Sequence, residues 1–323
     1  MLLASADSSR DNFVDLDVPI WAWVALAVIL ATMLAVDLYR HRDDHVPTTR
    51  EALAETLVWI ACGLTFSVAI AIGFGGAAFG EYISAYLIEK SLSVDNVFVW
   101  SMLFTSMAIP LKYQHRVLFW GIFGALVLRL VFILVCSALI VRFSWMLIVF
   151  GVFLIYTGIK IIRHREDEET ETGTKLIEFI RRFMPMTDEF DGHKFFTIKN
   201  AKRVGTPLLV ALIVIELTDV VFAFDSVPAV LAVSDEPYIV FASNAFAIVG
   251  LRAMYFLLAN ARERFHYLSH ALGAILIFVG AKMALSEWLH VNTYLSLGII
   301  ITMLIAAVLL SERKTRMMAA ASD

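Results

Sequence analysis

Glu89 and Asp95 stand six residues apart and are followed by Asn96 and Val97. Asp219 and Asp225 repeat that spacing and are followed by Ser226 and Val227. Glu216 precedes Asp219 by three residues, so the two share a face of any helix. All of these residues fall inside long apolar runs. Carboxylate, amide and hydroxyl oxygens are hard ligands suited to Mg²⁺, Ca²⁺ and Mn²⁺. The thiolates and imidazoles preferred by softer copper and zinc are missing from both segments. The residue types therefore offer a divalent-cation site made from Glu89, Asp95, Asn96, Glu216, Asp219, Asp225 and Ser226. Neighbouring carboxylates raise one another's proton affinity, so such a site also admits proton exchange.

The elements that must hold these residues are membrane helices. Of the 323 residues 60% are hydrophobic and 17% are charged, against about a quarter charged in soluble domains. Nine apolar runs, near 18–39, 54–75, 81–108, 117–140, 145–162, 207–233, 238–258, 267–286 and 293–311, approach the ~20 residues that a helix needs to cross a bilayer. Open strands would leave backbone groups unpaired in lipid. The expected fold class is therefore all-α: a polytopic membrane bundle of about nine transmembrane helices.

The predicted layout is an external N-terminal tail (1–17), transmembrane helices one to five (18–162), a cytoplasmic loop (163–206), transmembrane helices six to nine (207–311) and a cytoplasmic tail (312–323). Placing the N-terminus outside puts Arg40, Arg42, Arg50, Lys112, Arg116, Arg262, Arg264, Arg313, Lys314, Arg316 and the basic residues of 163–206 on the cytoplasmic side. The outer segments then hold Arg10 and Arg142, as the positive-inside rule requires. The N-terminus lacks the basic start of a cleaved signal peptide. The long loop opens on the acidic run Glu166–Glu169. Residues 175–183 fit a surface amphipathic helix. Asp188, Glu189, Asp191 and His193 form a weak metal-like cluster, more simply read as hydrated loop. Cys62 and Cys136 lie in apolar runs without metal-site spacing and read as packing.

Three features recur in one order. The acidic motifs at 89–97 and 219–227 come first, then Leu128-Arg129 and Leu251-Arg252, then Gly158-Ile-Lys160 and Gly280-Ala-Lys282. This predicts a three-plus-three repeat, the first within 81–162 and the second within 207–286. Span three runs inward and span six outward, so the repeats are inverted. Inverted repeats place transport sites at their interface near the bilayer midplane.

Ionised side chains at that depth cost at least ~2.5–3.5 kcal/mol each. The carboxylates are tolerable if they bind a cation, share protons or pair with cations in the membrane. The structural alternative is an ion-pair network of Arg129 and Arg252 with Asp95 and Asp225. Lys160 and Lys282 lie near span ends and are expected to snorkel. Lys90 beside Glu89 reads as charge balance. Asp219 and Asp225 point about 240° apart on a straight helix. Either that helix opens locally, as Pro228 and, in the other repeat, Ser91 and Ser93 suggest, or the two acids serve different partners.

These motifs resemble those of the TerC/Alx family, within the LysE-like transporter superfamily. The resemblance rests on Glu-Lys-Ser-Leu-Ser-Val-Asp-Asn-Val-Phe-Val-Trp at 89–100, on Glu-Leu-Thr-Asp-Val-Val-Phe-Ala-Phe-Asp-Ser-Val-Pro-Ala at 216–229, and on Ser-Asn-Ala-Phe-Ala-Ile-Val-Gly-Leu-Arg-Ala-Met-Tyr-Phe at 243–256. Met-Thr-Asp at 186–188 and the Gly-x-Lys pairs also fit. It covers roughly 54–311, and size and layout are nearest the Alx branch. The resemblance implies manganese export from the bacterial cytoplasm across the inner membrane, in a family first named for tellurium resistance. The family's acidic positions fall on Glu89, Asp95, Glu216, Asp219 and Asp225.

The expected function is secondary-type export of a divalent ion, Mn²⁺ above others, with proton coupling admitted by the carboxylates. The expected partners are the ion and the lipid bilayer, with no resident cofactor. No Gly-x₄-Gly-Lys-Ser/Thr loop signals a nucleotide, and a net charge of −4 argues against nucleic acid. An intramembrane enzyme would need a nucleophile with its base or an HExxH-like site, and the sequence has neither. The rival reading is a membrane scaffold for metal delivery or for tellurium and stress resistance, without transport of its own.

Overall fold

The computed structural model describes residues 13–40, 47–143, 145–163, 185–199, 202–258, 267–285 and 293–322. The expected acidic run at 166–169 and the surface helix at 175–183 lie outside the described residues.

The described chain is nearly all helical. Apolar residues without a break produce α1 (Ile20–Arg40). Thr48 and Glu51 close a reciprocal capping box that starts α2 (Thr49–Phe74). Gly75 turns the chain at φ +93°, where a side chain would be strained, and α3 (Gly76–Ser106) follows at once. Pro110 precedes α4 (Leu111–Arg142), and α5 (Met146–Arg163) comes next. The loop then forms an antiparallel hairpin, β1 (Phe196–Lys199) with β2 (Lys202–Gly205), pairing Phe196 with Gly205 and Lys199 with Lys202. Proline in the first turn opens α6 (Pro207–Leu231) and α7 (Pro237–Val249). The helix axis is interrupted at Gly250 before α8 (Leu251–Leu258). Last come α9 (Leu268–Ala284) and α10 (Thr293–Ser322).

Among the described residues six stretches are long and apolar enough to cross a membrane: Ile20–Arg40, Thr49–Phe74, Leu111–Ile140, Pro207–Leu231, Pro237–Leu257 and Leu295–Lys314. Helix α3 is long enough, but Glu81, Glu89, Lys90 and Asp95 make it too polar to qualify. Helix α10 continues through the segment expected as a tail. Glu312, Arg313, Lys314, Met317 and the alanines beyond are strong helix formers without a breaker.

Large apolar side chains cover the outside of the outer helices, and the interior holds polar residues such as Glu89, Asn96, Arg129 and Asp219 among its apolar and aromatic ones. Ile20, Ile72 and Val221 are 82%, 83% and 62% exposed, whereas α7 is buried from Tyr238 to Val249. This is the reverse of a soluble bundle and suits a hydrocarbon surrounding. Helices α5 and α9 run antiparallel at backbone contact. A Cβ on Gly151 would stand 2.7 Å from the Gly280 carbonyl oxygen, and one on Gly280 would stand 2.6 Å from that of Gly151. The same reciprocity joins Gly158 and Gly273, at 2.5 and 2.7 Å. Small residues permit this approach where water supplies no hydrophobic drive between helices. Helix α3 packs against α2, α6 and α7, and α4 against α6.

Candidate functional site

The site is centred on Arg129 of α4, which is 1% exposed. Its Nε and Nη2 donate to the two oxygens of Asp219 on α6, at 3.2 and 2.9 Å. Its Nη1 donates to Glu89 on α3 and, at 3.1 Å, to Ser226 Oγ on α6. Asp219 and Ser226 are seven residues apart, two turns of one face, so a single guanidinium reaches both. Glu89, Asp219 and Ser226 are 0%, 2% and 2% exposed. Ser93, one turn beyond Glu89, donates to Glu89 Oε1 at 3.5 Å. The bidentate fork on Asp219 is the strong form of this pairing.

Glu216 lies one turn before Asp219, against the α4 backbone. A Cβ on Gly124 would overlap its carboxylate, so glycine there makes room for the acid. Its Oε2 is enclosed without a hydrogen-bond partner. Two acids thus bind one guanidinium, and a third, Glu216, stands beside Asp219.

Asp225 is not part of this cluster. It faces Thr157 and Lys160 of α5. Helix α6 is continuous between Asp219 and Asp225, so the two acids serve different partners instead of flanking an opened segment. Helix α3 is likewise unbroken; the Ser91 hydroxyl bonds back to the Leu87 carbonyl at 2.6 Å. Asn96 is 1% exposed, and its Nδ2 has no partner. The Asp95 side chain lies outside the described residues. Among the described residues no three His, Cys, Asp or Glu side chains gather closely enough to enclose an ion.

The alternative ion-pair network takes a different form among the described residues. Arg129 pairs with Glu89 and Asp219, whereas Asp225 turns to α5. Arg252 of α8, 2% exposed, donates through Nη2 to the Asp37 carboxylate of α1 and, at 3.1 Å, to the Asp37 carbonyl. Lys160 is exposed, as snorkelling requires. Lys282 does not snorkel: its Nζ is buried without a hydrogen-bond partner, and the charge of Glu81 acts on it. Lys90 does more than balance charge. Its Nζ donates at 3.0 Å to the Ala247 carbonyl of α7, next to the interruption at Gly250. In the loop, Glu189 pairs with Lys199, and Asp191 pairs with Lys194 and Thr197, so the weak metal-like cluster is spent on the hairpin. Those bonds from Thr197 and Lys194 hold the exposed Asp191 carboxyl below its usual range.

Sequence reasoning missed three buried acids, Asp37, Glu55 and Glu81. Glu81, 2% exposed, accepts from the Val14 backbone N–H at 2.8 Å and from Ser234 Oγ at 2.7 Å. The Leu16 N–H donates to Glu236 at 3.4 Å. Residues 13–17, within the expected external tail, thus dock across the start of α3 and the α6–α7 turn. Asp37 and Glu81 each stand alone in an apolar run, and that isolation was the signal; Glu55, close to Arg50 and Glu51, gave none.

The sequence profile of the integral membrane protein TerC family matches residues 74–319. The chain belongs to the TerC family. A Myxococcus xanthus relative described as "Uncharacterized membrane protein STKORF319" is 45% identical over 91% of this chain and 92% of its own. A relative from Escherichia coli K12, described as "Putative membrane-bound redox modulator Alx", is 44% identical over 88% of this chain and 91% of its own. A Rickettsia bellii "Uncharacterized membrane protein" is 38% identical over 90% and 96%. No solved structure matches. This TerC-family chain is a multi-pass integral membrane protein, as its apolar helices and its family both indicate.

Proposed function

We propose that this TerC-family protein is a secondary transporter of a divalent cation, Mn²⁺ above others, exporting it across the bacterial inner membrane. The observation that carries the reading is the meeting of Glu89 and Asp219 on one guanidinium. The two acids hold equivalent places in the repeated motifs, on different helices, deep in the bundle. With Glu216 adjacent, acids exceed bases there, and a structural ion pair needs no such excess. Arg129 is in this view a resident cation with which the transported ion competes. Asp95, Asn96 and Asp225 supply further oxygens as the helices shift. Hard oxygen ligands favour Mn²⁺, Mg²⁺ and Ca²⁺ over softer ions.

The same reading takes the bundle as nine spans with an inverted repeat and the N-terminus outside. The antiparallel glycine contacts relate α5 and α9 by equivalent positions: Gly151 and Gly280 exchange with Gly273 and Gly158 at a constant sequence offset. The packing of α3 on α7 and of α4 on α6 is the same contact under that exchange. Inverted repeats of this kind rock against each other around a fixed site.

The test is uptake of Mn²⁺ into vesicles holding the purified chain, with Ca²⁺ and Mg²⁺ as competitors. A scaffold without transport gives no flux above empty vesicles. Flux that Ca²⁺ or Mg²⁺ suppresses as well as Mn²⁺ itself would remove the manganese assignment and keep the transporter.

A further inference from the structure

The residues just before α1 carry the pattern of an extended strap. Val14 and Leu16 are half-buried against the core, whereas Asp15 and Asp17 are exposed. Alternation of that kind sets every second residue of an extended chain on one side. The covered residues are also the bonded ones. The Val14 N–H donates to Glu81 Oε1 at 2.8 Å, and the Leu16 N–H donates to Glu236 Oε2 at 3.4 Å.

The two acceptors sit on different helices. Glu81 lies in the second turn of α3, the helix that also carries Glu89. Glu236 is the N-cap of α7, where its Oε1 takes the Tyr238 N–H. Ser234, 0% exposed, joins them: its Oγ donates to Glu81 Oε2 at 2.7 Å and accepts the Glu236 N–H at 3.4 Å. The strap, the start of α3 and the α6–α7 turn thus meet on one buried carboxylate. Glu89 follows eight residues further along α3, ~12 Å at 1.5 Å per residue. The junction therefore closes one end of the bundle above the charge cluster, the outer end in the topology proposed above.

The strap has no slack. Extended chain spans at most ~3.6 Å per residue, so two bonds two residues apart hold their acceptors at a nearly fixed separation. Both cannot persist if the start of α3 moves away from α7. The hold is local and slight: two backbone bonds to side chains and a half-buried apolar edge are features of chain that opens at low free energy. The next part of the chain is tied to α7 alone among the two. The Trp23 ring meets the Tyr238 ring edge-on at 5.1 Å, and Tyr238 Oη donates to the Ala22 carbonyl at 3.4 Å.

We infer that residues 13–17 are the outer clasp of the bundle: they stay with α7 and release Glu81 when the start of α3 parts from it to let the exported cation leave. The gating role rests on the transport reading, whereas the bridge between the two helices does not. In the repeat proposed above α3 belongs to the first half and α7 to the second, so rocking of one against the other pulls on this junction.

The first experiment reads the bridge without activity. Amide hydrogen exchange of the unaltered chain in detergent, resolved by residue and corrected for intrinsic rates, should be about tenfold slower at Val14 and Leu16 than at Asp15 and Asp17. Equal rates at the four positions overturn the clasp. The second experiment tethers the strap to either side, in the full chain carrying Cys62→Ala and Cys136→Ala. Val14→Cys with Glu81→Cys ties it to α3; Asp15→Cys with Asp235→Cys ties it to the α6–α7 turn. Each pair is linked with 1,2-ethanediyl bismethanethiosulfonate, whose links a reductant breaks, and Mn²⁺ uptake into vesicles is measured before and after reduction. The tether to α3 should cut flux at least tenfold, with recovery on reduction, and the tether to the turn should leave it within about twofold. Full flux through the chain tethered to α3, or equal loss from both tethers, overturns the clasp and leaves the transporter standing. Slow exchange at Val14 and Leu16 with no Mn²⁺ flux in the unaltered protein keeps the bridge and sinks its gating role together with the transport reading.

Discussion

Glu89 and Asp219 stand at equivalent places in the two acidic motifs and meet on opposite sides of the Arg129 guanidinium. Two acidic motifs that converge on one buried charge form a single electrostatic unit. Neither acid can be altered without unbalancing the other.

Arg129→Gln therefore strands two carboxylates among apolar helices. Breaking a buried pair by removing one partner costs ~3–5 kcal/mol, so the melting temperature in detergent should fall steeply. Adding Asp219→Asn should recover much of that loss, because the excess negative charge is then relieved. A single Arg129→Gln as stable as the unaltered protein would refute the charge cluster.

Asp225→Asn should behave in the opposite way. Asp225 faces Thr157 and an exposed Lys160, and the asparagine keeps an acceptor for the threonine. The variant should stay within about 1 kcal/mol of the unaltered stability yet lose Mn²⁺ flux in vesicles, since a hard cation needs anionic oxygen. Full flux in a stable variant would remove Asp225 from the ligand set.

The glycine contacts give a paired prediction. Gly158→Ala and Gly273→Ala should each destabilise by about 1–3 kcal/mol, because the added methyl meets backbone that cannot rotate away. Similar losses from both are expected of a reciprocal contact. Alanine at Gly298, which meets nothing within 4 Å, should be neutral. Thermal shift of the three proteins decides.

Glu236 caps α7 through the Tyr238 N–H and also takes the Leu16 N–H, but burial outweighs those bonds and raises its pKa. A raised folded-state pKa contributes stability at pH below the unfolded value and loses it as pH rises through the folded one. Docking of residues 13–17 should therefore weaken as pH climbs through the range just above an ordinary glutamate. Glu236→Gln should flatten that dependence. Melting curves of both proteins from about pH 4 to 8 test it, and identical slopes would count against it.

The relatives described as redox modulators prompt one more check. Cys62→Ala with Cys136→Ala should leave Mn²⁺ flux unchanged, because both thiols lie in packing positions, Cys136 being 3% exposed. Loss of flux in a well-folded double variant would point to thiol chemistry instead.

The helices were legible because an apolar run of membrane length has few alternatives, and the acids of 89–97 and 216–226 stood out because ionised groups are costly there. Pairing was not legible. Arg129 and Asp219 are 90 residues apart, and Arg252 and Asp37 are 215 apart; which acid a guanidinium meets depends on helix rotation. The break at Gly250 was hidden inside a single apolar run. The hairpin of 196–205 was hidden by its brevity: four residues a side carry too few alternations to mark a strand. The extension of α10 past Ser311 was missed because hydropathy marks where lipid ends and not where a helix does.

Helix α10 has 30 residues, which is about 45 Å at 1.5 Å per residue, against a hydrocarbon core of roughly 30 Å. If it crosses the membrane from Leu295, a rigid rod of several turns projects from the far face. A fluorescent protein or affinity tag fused after Asp323 would then be carried clear of the headgroups at a set height. Energy-transfer distances to dyes in the bilayer would report the tilt of the bundle, free of the slack that an unstructured tail would add.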